Sequence, residues 1–251
     1  MATAAAERRG AVRFAPIHQL RAHEYVADQI RRHIALRLIG PGESLPAERE
    51  LVAFFGVGRP TVQLALRELE HEGLVETRRG RHGGTFVVET GEDGSALDEL
   101  VARVARETAE LREALVFRRA VEPGVARIAA AARSDADLGA MRFAAEGLRT
   151  AETEHDYMRS DTELHLAIAA ATGNRFLAEA VEENRIRLSG VMALLPESDL
   201  WHRRIDDEHA ALMETIESGD ENRAERAMAV HVENAERGIL ALLAAVGRQA
   251  R

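Results

Sequence analysis

Two glycine-containing breaks constrain the first 88 residues more than any other feature of the chain. Gly40-Pro41-Gly42 ends a segment whose apolar residues recur at helical spacing, and Gly56-Val57-Gly58 separates two shorter segments of the same kind. Such breaks leave no room for a long helix, because proline and glycine both interrupt helical hydrogen bonding or backbone order. We expect three short helices, over about 23–38, just after Pro46, and from Pro60 to Gly73.

A basic, glycine-rich tip follows the third helix. Residues 74–78 and 85–88 are rich in Val and Thr, and they flank the sequence Arg-Gly-Arg-His-Gly-Gly. This pattern predicts a β-hairpin. Three helices followed by a hairpin form a winged helix-turn-helix, which we place at 17–88, after a flexible tail at 1–16.

The remainder of the chain predicts helices only. Residues 89–95 are polar and contain two glycines, so we place a linker at 89–98. Aromatic residues make up only 4% of the sequence, which favours helix packing over large sheets. Residues 99–251 are expected to form an all-α helical bundle, so the fold class is mainly α. The expected helices are about 97–132, 135–151, 153–172, 175–195, 202–218 and 221–247.

Charge is divided unevenly along the chain. Residues 1–88 hold 13 Arg and 10 acidic residues, a balance of +3, whereas residues 89–251 hold 20 Arg and 32 acidic residues, a balance of −12. A basic N-terminal part joined to an acidic C-terminal part indicates a DNA-contacting domain attached to a second domain. The absence of Cys excludes disulfides, and no apolar stretch approaches the roughly 18 residues of a membrane span. We therefore expect a cytoplasmic protein that makes no membrane contact.

The first domain resembles the GntR family of bacterial regulators. The resemblance is carried by LPAEREL (45–51), GVGRPTV (56–62), ALREL (65–69) and GLV (73–75). It covers about residues 23–88 in unbroken order. The resemblance implies DNA binding, with contacts at Arg49, Arg59, Thr61 and Gly80.

The same residues have a physical reason to meet DNA. A recognition helix enters the major groove by its N-terminal end, where Arg59 and Thr61 lie. The Arg59 guanidinium can bond guanine O6 and N7 together, and Arg49 on the preceding helix is placed for a phosphate or a base edge. At the wing tip we expect Arg79, Arg81 and His82 to follow a groove, with Gly80 allowing close backbone approach.

Three histidines in the second half lie on apolar helix faces. His165 follows Asp161 by four residues, which puts both on one face, and His209 and His231 lie among Leu, Ile and Met on two later helices. Burying three imidazoles and a carboxylate without compensation is costly. A divalent cation shared by all four removes that cost, and Zn, Ni, Mn and Fe each accept such ligands. We expect a metal site at these four residues, with the identity of the metal undecided.

This arrangement is similar to the FCD ligand-binding domain, which accompanies the GntR-type winged helix in the FadR subfamily. Its metal-binding members carry an Asp and a His four apart on one helix and single His residues on two later helices. In that subfamily an Arg that begins an Arg-Arg-x-x-Glu segment helps to hold an acidic ligand, and residues 118–122 fit that segment. The resemblance implies that Arg118 binds a small carboxylate effector.

An internal ion pair between Arg118 and Glu122, at helical spacing, explains the same arginine equally well. Asn184, on an apolar stripe of a later helix, is a weaker candidate for effector binding.

These features predict a homodimeric DNA-binding transcription regulator, a repressor of a pseudo-palindromic operator in double-stranded DNA, and not an enzyme. Two alternatives remain: a metal-dependent enzyme built on the helical domain, and a sensor of the metal alone. The enzyme is disfavoured because no further general base or nucleophile is evident beside the expected metal ligands, and because the winged helix would then be idle.

Replacing Gln63 by Arg is expected to change the base preference of the protein. The family usually has Arg at this position, one turn into the recognition helix, and Gln pairs with adenine whereas Arg pairs with guanine. Selection of duplexes from a random library by both proteins measures the change. An unchanged preferred sequence would show that Gln63 does not contact a base.

Overall fold

The computed structural model describes residues 21–80, 83–88, 95–195 and 199–249. In the first of its two parts, three helices precede a hairpin. They are α1 (Ala22–Ala35), α2 (Glu48–Phe55) and α3 (Arg59–His71), followed by β1 (Val75–Arg78) and β2 (Gly84–Val87). The two strands pair antiparallel, with Val75 opposite Val87 and Arg78 opposite Gly84.

Glycines end α2 and α3 in the expected way, whereas α1 ends at Ala35, short of the expected Leu38, and Arg37 has a φ near 58°. Gly56 ends α2 with φ near 62°, a left-handed conformation that glycine adopts without steric cost. Gly73 follows α3 with φ near 75°, and the next amide, of Leu74, bonds back to the Leu69 carbonyl at 3.0 Å. This Schellman turn directs the chain from α3 into the wing.

The wing is held by a third extended segment as well as by its own two strands. Val87 exchanges hydrogen bonds with residues 42 and 43, and the Leu45 amide donates to the Thr85 carbonyl at 2.8 Å. The segment 42–45 therefore lies along β2. Apolar side chains from all three helices and from both strands fill the core beneath it, among them Val26, Ile30, Leu51, Val62, Leu66, Leu69, Val75 and Val87.

The second part is a bundle of seven helices within the described residues. The two long helices, α5 and α10, pack along each other, and α7 lies between α6 and α8. The helices are α4 (Ser95–Arg106), α5 (Thr108–Ala132), α6 (Asp135–Thr150), α7 (Glu154–Ala170), α8 (Arg175–Met192), α9 (Asp199–Ser218) and α10 (Glu221–Gln249). The predicted fold class, mainly α with a winged helix-turn-helix and an all-α bundle, is confirmed.

The sequence predicted one helix over 97–132, and the structure divides it at Glu107. The Thr108 hydroxyl donates to the carbonyls of Val104 and Ala105, at 3.1 and 3.2 Å. A side chain that bonds to these carbonyls competes with the helical backbone, which favours a break. The helix α4 begins at Ser95, so the last four residues of the segment expected as a linker are helical.

The two parts also touch directly, through α7 and α8. Arg159 on α7 donates to Glu43 at 2.9 Å, and Arg32 on α1 lies 3.3 Å from Glu183 on α8. A β-carbon added to Gly40 would lie 2.2 Å from the His155 imidazole, so a larger residue there would require the His155 side chain to move. No helix in the described part of the chain is both long and apolar enough to cross a membrane.

Candidate metal centre and DNA-binding surface

Four side chains from three helices meet in the core of the bundle. Asp161 and His165 come from α7, His209 from α9 and His231 from α10. All four are buried, and one donor atom of each lies within 4.8 Å of the donor atoms of the other three. The structure therefore brings together the four residues that the sequence analysis proposed as metal ligands.

The spacing between these donor atoms suits a divalent ion. His165 Nε2 lies 3.2 Å from His231 Nε2, and His209 Nε2 lies 3.2 Å from Asp161 Oδ1. His165 Nε2 is 3.8 Å from Asp161 Oδ1, and all donor pairs lie within 4.8 Å. A tetrahedral ion with ligand bonds of about 2.0–2.2 Å would hold its donors roughly 3.3–3.6 Å apart. Three imidazole nitrogens and a carboxylate oxygen also form a donor set that first-row divalent metals accept. The residues present fit a metal ion.

Two glutamates orient the histidines from outside the cluster. His165 Nδ1 lies 2.8 Å from Glu122 Oε2, and His231 Nδ1 lies 3.2 Å from Glu208 Oε2. A carboxylate at Nδ1 favours the tautomer whose Nε2 is free to bind a metal. Burial lowers the pKa of both His165 and His231, so both imidazoles are neutral at neutral pH and keep that lone pair.

The carboxylates of the cluster are ionised. Burial alone would raise the pKa of Asp161, but Arg185 and the histidines beside it hold that pKa well below its ordinary value. Burial likewise opposes the charge on Glu122, and Arg118 together with His165 outweighs it and lowers the pKa to about 2. The bundle core therefore contains two negative charges, each beside an arginine.

Arg118 lies against this cluster with most of its donors free. Its Nε donates to Glu122 Oε1 at 2.9 Å, so the internal ion pair considered as an alternative is present. Only 1% of Arg118 is exposed, and neither Nη atom has a hydrogen-bond partner within the described residues. The ion pair and a ligand-binding role are compatible, because the pair occupies Nε alone.

Asn184 is buried on α8, but its contacts lead away from the four metal-site residues. Its amide nitrogen donates to the Ala114 carbonyl at 2.9 Å, and its Oδ1 has no partner among the described atoms. It also borders an open surface cavity with Phe117 and Arg187.

Arg185 belongs to the buried cluster and was missed in the sequence analysis. Its Nη2 bonds to Asp161 Oδ2 and lies 3.1 Å from the Thr162 hydroxyl. The signal was present, because Arg185 falls four residues after Val181 and three before Leu188, on the stripe that α8 buries. The argument that selected Arg118 applies to Arg185 as well.

The residues proposed to contact DNA that the structure describes lie on the surface. Arg59 begins α3 and is exposed, as is Arg49 on α2, while Thr61 and Gln63 are half-buried. Arg59 Nε and Gln63 Nε2 both donate to Glu48 Oε2, at 2.9 and 3.1 Å. One carboxylate thus holds two of the side chains that would face DNA.

At the wing, Arg79 and Gly80 are exposed after β1, and Gly80 has a φ near 120°, which a side chain rarely permits. The other two proposed wing contacts, Arg81 and His82, lie outside the described residues. An open groove between α3 and the wing is lined by Glu48, Arg59 and Gly80.

Comparison with known families matches both parts of the chain. Residues 22–87 match the model of bacterial regulatory proteins of the gntR family, and residues 113–234 match the FCD domain. The first match covers the winged helix-turn-helix, and the second covers all four residues of the candidate metal centre.

Individual relatives agree with this assignment. A protein of Mycobacterium gastri named as the HTH-type transcriptional regulator RmpR is 30% identical over 211 residues, which are 82% of this chain and 76% of that protein. The HTH-type transcriptional repressor NanR of Citrobacter rodentium is 26% identical over 245 residues, 94% of this chain and 90% of that one.

Solved structures show the same fold. E. coli McbR/YncC is 17% identical, with a TM-score of 0.50 over 89% of this chain and 99% of that one. A GntR transcriptional regulator from Rhodococcus sp. RHA1 is 20% identical, with a TM-score of 0.50 over 87% of this chain and 97% of that one.

The order of the helices, the hairpin wing, both domain matches and the RmpR relative lead to one assignment. The chain belongs to the GntR family of bacterial transcription regulators and joins that family's winged helix-turn-helix to an FCD domain, as in the FadR subfamily.

Proposed function

We propose that this chain represses transcription in the cytoplasm by binding operator DNA, and that a small carboxylate at the metal centre controls the binding. One observation carries the proposal. The same chain presents an exposed recognition helix and buries a cluster of metal-type donors beside the unsatisfied guanidinium of Arg118. The name of the NanR relative as a repressor supports the direction of control.

DNA recognition is assigned to the recognition helix and the wing. Arg59 would pair with guanine in the major groove, and Gln63 would face the adjoining base pair. Thr61 lies at the helix N-terminus, where free backbone amides attract phosphate. The remaining contacts are assigned to Arg49 on α2 and to Arg79, Gly80, Arg81 and His82 at the wing.

A homodimer would place two winged helices on a pseudo-palindromic operator. Apolar side chains on the adjoining helices α5 and α10 remain exposed in the single chain, which supports burial against a second copy. They are Val116, Phe117, Ile128 and Val230.

The metal centre would hold the effector. Asp161, His165, His209 and His231 would bind Zn, Ni, Mn or Fe, and such an ion supplies positive charge for carboxylate oxygens. Arg118 offers the two N–H groups that guanidinium directs at a carboxylate in parallel. Asn184 is retained as a weaker candidate, because its Oδ1 is buried without a described partner.

The effector signal would reach the DNA-binding domain through α7. This helix carries Asp161 and His165, and two residues before Asp161 it carries Arg159, which bonds to Glu43. Glu43 belongs to the extended segment that pairs with β2 of the wing. A shift of α7 on ligand binding therefore acts on the wing directly, in addition to any change across the linker.

The other contacts between the two parts leave room for such a shift. Between α1, α4 and α8 lies a cavity of about 540 Å³, lined largely by apolar side chains such as Ile34, Val104 and Val191. Since these faces are not packed together, the contacts of α7 and α8 with the first domain, including the close approach of Gly40 to His155, hold the domains in place. Coupling on the order of 1–3 kcal/mol suffices to change operator occupancy.

Replacing Arg59 by Ala is expected to weaken operator binding by about 5- to 150-fold for each half-site of the operator, the loss of one bidentate guanine contact per half-site at about 1–3 kcal/mol. Binding to unrelated duplex DNA should change much less. A duplex selected from a random library by the wild-type protein serves as the probe in fluorescence anisotropy.

Arg112→Ala, an exposed position on α5, is the control for loss of one positive charge. Equal operator affinity of Arg59→Ala and Arg112→Ala would remove Arg59 from recognition.

Chelator-treated protein is expected to gain thermal stability on addition of Zn²⁺, Ni²⁺ or Mn²⁺, because an ion that binds only the folded state stabilises it. His209→Gln should lower metal affinity by at least about tenfold, the smallest loss typical even of an outer-shell change. Differential scanning fluorimetry and metal titration measure both effects.

His33→Gln, at an exposed histidine of α1, should behave like the wild type. A wild-type protein that gains no stability from any of these metals would argue against the centre.

Arg159→Gln is expected to reduce the effect of the effector on operator affinity while leaving effector affinity nearly unchanged. The ratio of operator Kd values with and without ligand should fall toward one, because the contact from α7 to Glu43 is lost. The ligand used is the carboxylate that stabilises the metal-loaded wild type most.

Arg142→Gln removes a comparable ion pair, to Glu217, within the bundle, and should keep the wild-type ratio. If Arg159→Gln also keeps that ratio, the signal takes another route.

A further inference from the structure

Two arginines, not one, are buried at the metal centre with unsatisfied donors. Arg118 is 1% exposed and Arg185 is 3% exposed. Within the described residues, Nη1 and Nη2 of Arg118 and Nε and Nη1 of Arg185 have no hydrogen-bond partner. Buried polar groups nearly always have partners, so four unsatisfied nitrogens at one centre indicate acceptors that the chain does not itself supply.

The two arginines reach the cluster from different helices and through different carboxylates. Arg118 on α5 bonds to Glu122, whose second oxygen lies against His165. Arg185 on α8 bonds to Asp161, which lies against His209. Each guanidinium therefore borders the candidate metal ligands, and each has its own free N–H groups.

The unpartnered donors themselves indicate what those acceptors are. A guanidinium directs N–H groups in parallel at the two oxygens of a carboxylate. Arg118 and Arg185 each keep two nitrogens that no described residue occupies, so each can take one carboxylate.

We propose that the effector is a small dicarboxylate, and that Arg118 and Arg185 each donate to one of its two carboxylates. This inference rests on the proposed function, since it names the chemical class of the ligand for that site. Two separate carboxylates suit two separate guanidiniums. A single phosphate presents its oxygens at one point, and a monocarboxylate has a group for only one of the two guanidiniums.

Arg185 is then a specificity-determining residue. Its bond to Asp161 holds a metal ligand in place, and its free edge distinguishes two acidic groups from one. Loss of Arg185 should reduce affinity for the second carboxylate more than affinity for the first. A purely structural role would instead affect all ligands equally, through loss of the metal.

The test uses full-length, metal-loaded protein and isothermal titration with matched acids. Succinate and glutarate are compared with butyrate and with succinamate, in which one carboxylate is replaced by an amide, and inorganic phosphate is a further probe. The wild type is expected to bind at least one dicarboxylate about 10- to 100-fold more tightly than its matched monoacid, the range typical of one hydrogen bond between charged groups.

Arg185→Met should bring the dicarboxylate-to-monoacid ratio close to one, and Arg185→Lys should retain part of it. Arg187→Gln, on the exposed face of the same helix, and Arg119→Gln, beside Arg118 and half exposed, should keep the wild-type ratio. Metal content is measured for every variant, and ratios are compared only between metal-loaded samples.

Three results would each overturn the inference: equal wild-type affinity for matched mono- and dicarboxylates, tighter binding of phosphate, or an unchanged ratio in Arg185→Met. None of them would contradict the proposed control by a carboxylate. Metal-loaded wild type that binds none of the carboxylates would instead contradict the proposed function itself.

Discussion

The bundle depends on mutual compensation among charges that it buries. Arg118, Glu122, Asp161 and Arg185 are all 5% exposed or less, and each lies beside a group of opposite charge. Removing one member would leave its partner as an unpaired buried charge, which costs several kcal/mol. These contacts link α5, α7 and α8, so electrostatic pairing as well as apolar packing fixes their relative positions. The helices α9 and α10 add imidazoles to this cluster, and Glu208 of α9 lies at its edge beside His231.

This compensation links the core of the bundle to its surface. The helix α7 carries Asp161 inside and Arg159 against the wing segment outside, and α8 carries Arg185 inside and Glu183 beside Arg32 of α1. A short helix can move as a rigid unit, so on the proposed mechanism a change in charge around Asp161 would reach both contacts with the DNA-binding domain. These ion pairs are only part-buried, and pairs near the surface contribute about 0–1 kcal/mol each, which would let the two domains change their relative position.

The helices and the apolar faces that carry the metal-type residues could be predicted because their signals are local. That His209 and His231 meet Asp161 and His165 was expected from the cost of burying these groups and from the FCD resemblance. Apolar periodicity, glycine breaks and the four-residue spacing of Asp161 and His165 are all visible in one stretch of sequence. Contacts between distant segments could not be predicted in this way. The Arg159–Glu43 bond joins residues 116 apart, and the pairing of residues 42–45 with β2 depends on where the wing folds back. Arg185 is an intermediate case, since its burial was visible on the stripe but its carboxylate partner, on α7, was not.

At the DNA-binding surface, as in the bundle core, one charged group bonds to more than one partner. Glu48 accepts from both Arg59 and Gln63, so the carboxylate holds the first turn of α3 and its principal cation in one arrangement before DNA arrives. If Arg59 contacts a base as proposed, this arrangement would lower the conformational entropy lost on binding and leave the guanidinium edge not bonded to Glu48 for that base. An Arg in place of Gln63 would put a second guanidinium on the same carboxylate and compete with Arg59. The neutral amide of Gln63 avoids that competition. Gln63 can therefore affect the position of Arg59 through Glu48, whether or not Gln63 itself contacts a base.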